Sequence, residues 1–229
     1  LWHAVVIPIS NGQQTATDIA GQTGKADQAS WMELFDGKSL QGWSRTNFGG
    51  EGDVEVTESD AGGTILLDYG HPMSGITFRG TPDYGKNDLP KIGYEIELVA
   101  RRVAGSDFFC GLTFPYKDSH CTLILGGWGG QLVGLSSLDG DDASQNETTD
   151  YLSFENGKWY KILLRVNDGK IEARRDGKQI VTCRIGQRKV DTRPEVVLSK
   201  PLGVACYQTQ AELRHIRIRK VNPTGQGGN

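Results

Sequence analysis

Residues 120 to 147 gather the side chains best suited to chemistry in this chain: His120, Trp128, Asp139, Asp141, Asp142, Asn146 and Glu147. Carboxylates and imidazoles are the usual general acids and bases, and a positioned base contributes about 10²- to 10⁴-fold in rate. No Lys or Arg falls between Lys117 and Lys158, while seven Asp or Glu do. Mutual repulsion is therefore expected to raise one carboxyl pKa into a useful range. Glu147 and Asp139 are the candidate bases, and His120 is the candidate acid. Trp128 sits in GGWGG, and a Gly-rich strand marks a bulge or a place where something approaches the backbone closely. Its glycine neighbours would leave the indole face open for a ligand to stack against. Gln131, Asp142, Asn146 and Arg101 complete the expected substrate-binding set, with Arg79 and Arg102 as further sources of positive charge.

Each of these residues also has a structural reading. Asp139 before Gly140 fits a turn, His120 at a strand start fits a hydrogen-bonded structural histidine, and a lone Trp is commonly core. Asp139, Asp141 and Asp142 are hard oxygen ligands that would suit a divalent cation such as calcium, although their spacing is not that of an EF-hand loop. No metal ligand set is assigned. The four cysteines, Cys110, Cys121, Cys183 and Cys206, include no C-x-x-C pair, which argues against a zinc site. Cys110 and Cys121 fall on consecutive expected strands, where they either face each other or are small buried thiols.

The elements that must position these residues read as strands. Short apolar or alternating runs such as YEIELVARRV, FFCGLTF and KWYKILLRV are separated by turn residues, and no segment sustains an amphipathic helix. Asp168-Gly169 and Asp176-Gly177 lie between such runs, a strong signal for a three-strand meander. LRHIRIRKV alternates Ile216 and Ile218 with Arg217 and Arg219, one face apolar and the other wet. It reads as a closing strand, with residues 32 to 35 expected beside 213 to 219. Many short strands at roughly ten-residue spacing predict an all-β jelly-roll sandwich of two antiparallel sheets.

Length and composition bound the remaining choices. The 229 residues carry a formal net charge of −3, so nothing in the balance suggests a nucleic-acid partner. Eleven Lys or Arg against four Asp or Glu lie between Lys158 and Arg193, which reads as a solvated sheet face. No run of 18 apolar residues suggests a membrane span. Residues 11 to 30 lack periodicity and read as a linker. LWHAVVIPIS has a short apolar stretch without a basic flank and fits the remnant of a processed signal, which would put the domain in the periplasm or outside the cell. The expected organisation is a flexible segment over 1–30, a sandwich over 31–221 and a disordered tail over 222–229.

LFDGKSLQGW, residues 34 to 43, and GKWYKILLRVNDGKIEARRDGKQIV further on resemble signatures of the 3-keto-disaccharide hydrolase domain family. Members of that family adopt a concanavalin-A-like lectin/glucanase sandwich. The resemblance spans roughly residues 31 to 221, and SDFFCGLTF together with the Gly-rich segment after it marks a divergent subgroup. It implies a carbohydrate ligand and cleavage of a 3-keto glycoside, in which a base removes the acidified proton beside the ketone and the glycosidic oxygen is expelled. Two other classes share the fold: a carbohydrate-binding module, in which Trp128 stacks without any base, and a structural or assembly domain.

Overall fold

A computed structural model describes residues 29–58 and 62–221. The expected linker, signal remnant and C-terminal tail lie outside the described residues, apart from residues 29 and 30. Two antiparallel sheets carry the fold. One has eight strands, in the order Lys178–Arg184, Lys170–Arg175, Tyr160–Asn167, Tyr94–Gly105, Thr209–Lys220, Thr64–Leu67 and Val54–Thr57, with Met32–Glu33 also paired to Thr209–Lys220. The other has seven, in the order Asp150–Tyr151, Leu132–Ser136, Ser119–Gly126, Cys110–Tyr116, Gly203–Tyr207, Met73–Phe78 and Trp43–Arg45. No helix among the described residues is long and apolar enough to cross a membrane.

The alternation seen in the sequence decides the layering. Tyr94, Ile96, Leu98 and Ala100 are fully buried and pack against Leu112, Phe114, Leu123 and Leu125 of the facing sheet, as period-2 strands must when one face meets a core. Asp176 and Gly177 both take positive φ, 51° and 81°, the left-handed pair that a tight two-residue hairpin demands. Met32 pairs with Ile218 and Glu33 with Arg217, so the chain closes where the sequence predicted. Cys110 faces Leu125 and Cys121 faces Phe114. The two are therefore not cross-strand partners, and all four thiols are free and buried.

The wet face of the closing strand is an ion ladder rather than a row of solvated charges. Arg219 and Arg165 flank the buried Glu95, and Arg217 and Lys161 flank Glu97. Trp31 lies beneath Arg217 and Arg219, 4.7 and 4.4 Å from its ring centroid. Burial alone would raise the Glu97 carboxyl, but hydrogen bonds from Lys161 and Arg217 outweigh it and hold the pKa below its ordinary value. A carboxyl with a depressed folded pKa stabilises the fold above its unfolded pKa and loses that contribution as pH falls through the folded value. Melting temperature is therefore expected to drop as pH falls below the ordinary value of 4.5. Glu97→Gln should flatten that part of the profile, which thermal melts at stepped pH would measure.

Candidate functional site

On the outer face of the seven-stranded sheet, Gly134, Gly111, Ala205 and Gly75 align with Ile124 across neighbouring strands, and the glycines and alanine leave room for side chains to lie flat on the sheet. A Cβ on Gly111 would stand 3.0 Å from the Phe108 ring. Phe108, Val196 and Ala143 use this space, packing with Met73, Ile124, Leu132 and Ala205 into a second apolar cluster distinct from the inter-sheet core. A pocket of about 360 Å³ opens over this cluster. Its floor includes Met73, Phe108, Ile124, Val196 and Tyr207, and its polar groups are Asp107, Thr122, Ser136, Arg193 and Glu195, with Trp128 at the side. Ser136 Oγ is buried without a hydrogen-bond partner.

The glycines around Trp128 answer to the backbone. Gly126, Trp128, Gly129 and Gly130 all have positive φ, between 47° and 98°, a region in which L side chains crowd the carbonyl at a cost of about 1–2 kcal/mol per residue. Added Cβ atoms would also stand 3.1 Å from the Phe109 ring at Gly126 and 2.8 Å from the Arg102 guanidinium at Gly130. The turn leaves Trp128 45% exposed. It is held in place by Asp107, whose Oδ1 accepts the N–H of Phe108 at 2.7 Å and that of Trp128 at 3.2 Å. Trp128→Gly would remove left-handed strain and little packing. Stability is expected to stay within about 1 kcal/mol of wild type, far from the ~3–5 kcal/mol lost with a core aromatic. Paired chemical melts of the two forms would show it.

Arg102 supports this wall from below. It continues the inward-facing series of Tyr94–Gly105 and is 6% exposed. Its guanidinium donates to the carbonyl oxygens of Asp107, Gly130 and Phe154 at 3.2, 3.3 and 2.6 Å, and to Asn156 Oδ1 at 2.6 Å. Arg101, one residue earlier, points the other way. It pairs with Glu212 and stacks on Trp159 at 4.5 Å, so it braces the opposite sheet and does not reach the pocket.

Arg193 supplies the positive charge of the site. It donates to Asp142 Oδ2 at 2.6 Å and to Glu195 through Nε and Nη2 at 3.2 and 2.8 Å. The Arg193 hydrogen bonds hold the Glu195 carboxyl below its usual range, so Glu195 is ionised at neutral pH. Asp142 thus enters the site indirectly, as the anchor of Arg193, while its Oδ1 ties down Ser144.

The other sequence candidates lie elsewhere. Glu147 accepts from Arg188 and from Cys183, and Asp139 stands 3.5 Å from the same Arg188 while accepting the Lys189 N–H at 2.9 Å. The expected repulsion among these carboxylates is corrected by the fold. Arg188 and Arg193 arrive from 41 and 51 residues downstream to pair with Glu147 and Asp142, and the Arg188 hydrogen bond lowers the Glu147 pKa rather than raising it. Neither Glu147 nor Asp139 lines the pocket. With Asp139 turned to Arg188 and Asp142 to Arg193, the acidic cluster does not converge on a calcium position. No group of three or more His, Cys, Asp or Glu among the described residues is placed to hold a metal.

Asn146 is a brace, donating to Leu135 O and Asp142 O at 2.8 and 2.7 Å and accepting from Thr148. Gln131 is exposed outside the pocket lining. His120 shares a strand face with Thr122 and lies one step beyond the lining. Burial, then Lys200 and Lys91, lower its pKa, which leaves it neutral at pH 7 and a poor source of a proton. Asp107, Arg193, Glu195, Ser136 and Tyr207 were not singled out in the sequence. Arg193 and Glu195 flank Pro194 at one short turn, while Asp107, Ser136 and Tyr207 come from other parts of the chain that the fold brings beside it.

The fold is thus a jelly-roll β-sandwich with an acid- and cation-lined pocket on one sheet. The chain matches the 3-keto-alpha-glucoside-1,2-lyase-like domain over residues 30–219, and it belongs to that family. Among solved structures it is similar to the apo Crh5 transglycosylase, with 12% identity, TM-score 0.54 and 87% of each chain covered. It is also similar to a carbohydrate esterase from the Shiga toxin-encoding bacteriophage phi24B, with 10% identity, TM-score 0.52, and 84% of this chain and 100% of that one covered. At such identities the likeness is one of fold. Comparison with curated proteins finds no match.

Proposed function

We propose that the pocket cleaves the glycosidic bond of 3-keto glycosides by elimination followed by hydration. The observation that carries this reading is the convergence of Asp107, Arg193 and Glu195 beside the exposed Trp128, in a chain of this family. Asp107 is the base: two backbone N–H groups fix its Oδ1, and among the described residues Oδ2 has no hydrogen-bond partner. It removes the proton from carbon 2, beside the ketone at carbon 3. The electron pair moves into an enolate that Arg193 stabilises with N–H groups beyond the three it already uses. Collapse of the enolate restores the ketone, forms a double bond between carbons 1 and 2, and expels the leaving oxygen, which takes a proton from the Tyr207 hydroxyl. Water then adds to carbon 1, oriented by the Glu195 carboxylate; its proton passes to the Tyr207 phenolate, and protonated Asp107, after exchange with solvent, returns a proton to carbon 2. The net change is hydrolysis to the 3-keto sugar and the freed alcohol.

The test is incubation of the pure protein with 3-keto disaccharides and with the unoxidised sugars, with and without chelator, in deuterated water. Turnover of the keto sugar alone, with deuterium appearing at carbon 2, is expected. Cleavage without deuterium at carbon 2 would indicate direct displacement by two carboxylates. Binding with no turnover of either sugar would leave a carbohydrate-binding module.

A further inference from the structure

We infer that the pocket is shaped for 3-keto glycosides whose leaving group is an apolar, ring-sized aglycone rather than a second sugar; this rests on the proposed function. The floor is the reason. Met73, Phe108, Ile124 and Val196 are all under 10% exposed, yet they line the pocket, so the surface they retain forms its base. Phe108 and Tyr207 lie as tilted rings 5.8 Å apart. Val197 and Leu198, which follow Val196 on the turn Pro194–Ser199, expose further apolar surface on that segment, at 46% and 52%.

A sugar ring carries hydroxyls around its edge, and each one pressed onto this floor would lose its water without gaining a partner, at about 1–3 kcal/mol. An aromatic or alicyclic aglycone has no such groups and gains from burial instead. The polar groups suffice for one sugar. Asp107, Arg193, Glu195, Thr122, the Tyr207 hydroxyl and Ser136 Oγ, the last buried and without a hydrogen-bond partner, are few and directional, as in sites that orient one polar unit against an apolar wall. A volume of about 360 Å³ is at the small end of pockets that enclose a ligand, which favours two joined rings over a longer saccharide.

The experiment compares phenyl α-D-glucoside, methyl α-D-glucoside and a glucose disaccharide by calorimetry against wild type, Val196→Thr and Ile124→Thr, with a thermal melt of each variant. Phenyl glucoside is expected to bind at least about tenfold more tightly than the other two, and either folded variant should erase most of that gap. Equal affinities, a tighter disaccharide, a gap unmoved in both variants, or no binding of any of the three would overturn the inference. These probes carry no ketone, so a protein that prefers the phenyl glucoside but turns over no 3-keto glycoside would refute the proposed reaction and leave the aglycone preference standing.

Discussion

Asp107→Asn is expected to lower turnover of a 3-keto glycoside by about 10²- to 10⁴-fold, the range that a positioned general base supplies, while leaving the fold and sugar binding nearly intact. The substitution is well suited to the question because Asp107 has two separable duties. Its Oδ1 accepts backbone N–H groups from Phe108 and Trp128, and an asparagine carbonyl oxygen does the same. What asparagine cannot do is accept a proton from carbon. Loss of kcat with binding and melting retained identifies the base, whereas a change under tenfold would remove Asp107 from that role. Glu147→Gln and Asp139→Asn serve as controls, since both side chains are spent on Arg188 outside the pocket and their loss should leave turnover unchanged. Turnover that collapsed in Glu147→Gln but not in Asp107→Asn would return the chemistry to the acidic loop.

The contrast between these carboxylates shows what a sequence discloses and what it hides. Local signals were legible because local physics sets them: Asp176-Gly177 turns where a left-handed pair is needed, and the alternation in residues 213 to 219 places Ile216 and Ile218 inward. The charge desert between Lys117 and Lys158 was misleading because spacing along the chain is not spacing in the fold. Arg188 and Arg193 come back across the sheet edge to occupy it. The glycines of GGWGG did mark a special backbone. Their immediate cause, however, is positive φ and the approach of Phe109 and Arg102, and neither contact leaves a local trace. Asp107 and Glu195 escaped notice because each stands as a single acid in an ordinary turn, and only the pairing of Gly203–Tyr207 with Cys110–Tyr116 sets their elements against one pocket.

Arg101 and Arg102 carry the same lesson in adjacent positions, because strand parity sends one to the outer face and the other inward, and composition does not say which. Arg102→Met is expected to destabilise the protein by roughly 3 kcal/mol, since it strips partners from buried acceptors that each cost about 1–3 kcal/mol when unsatisfied. In a domain of this size that is a fall of about 6–12 °C in Tm. Burial lowers the Arg102 pKa, and no carboxylate pairs with it among the described residues, so carbonyl oxygens of Asp107, Gly130 and Phe154 and the Asn156 amide hold the charge instead. A planar fork can span these acceptors, and a single ammonium cannot. Arg102→Lys should therefore keep a cooperative fold with a smaller loss of stability, yet loosen the turn at Gly130 and the chain at Asp107. The expected signature is weaker glycoside binding together with a shifted Trp128 fluorescence. If Arg102→Met melts within about 1 kcal/mol of wild type, or if Arg102→Lys binds glycoside as tightly as wild type, the wall that presents Trp128 and Asp107 does not depend on this guanidinium.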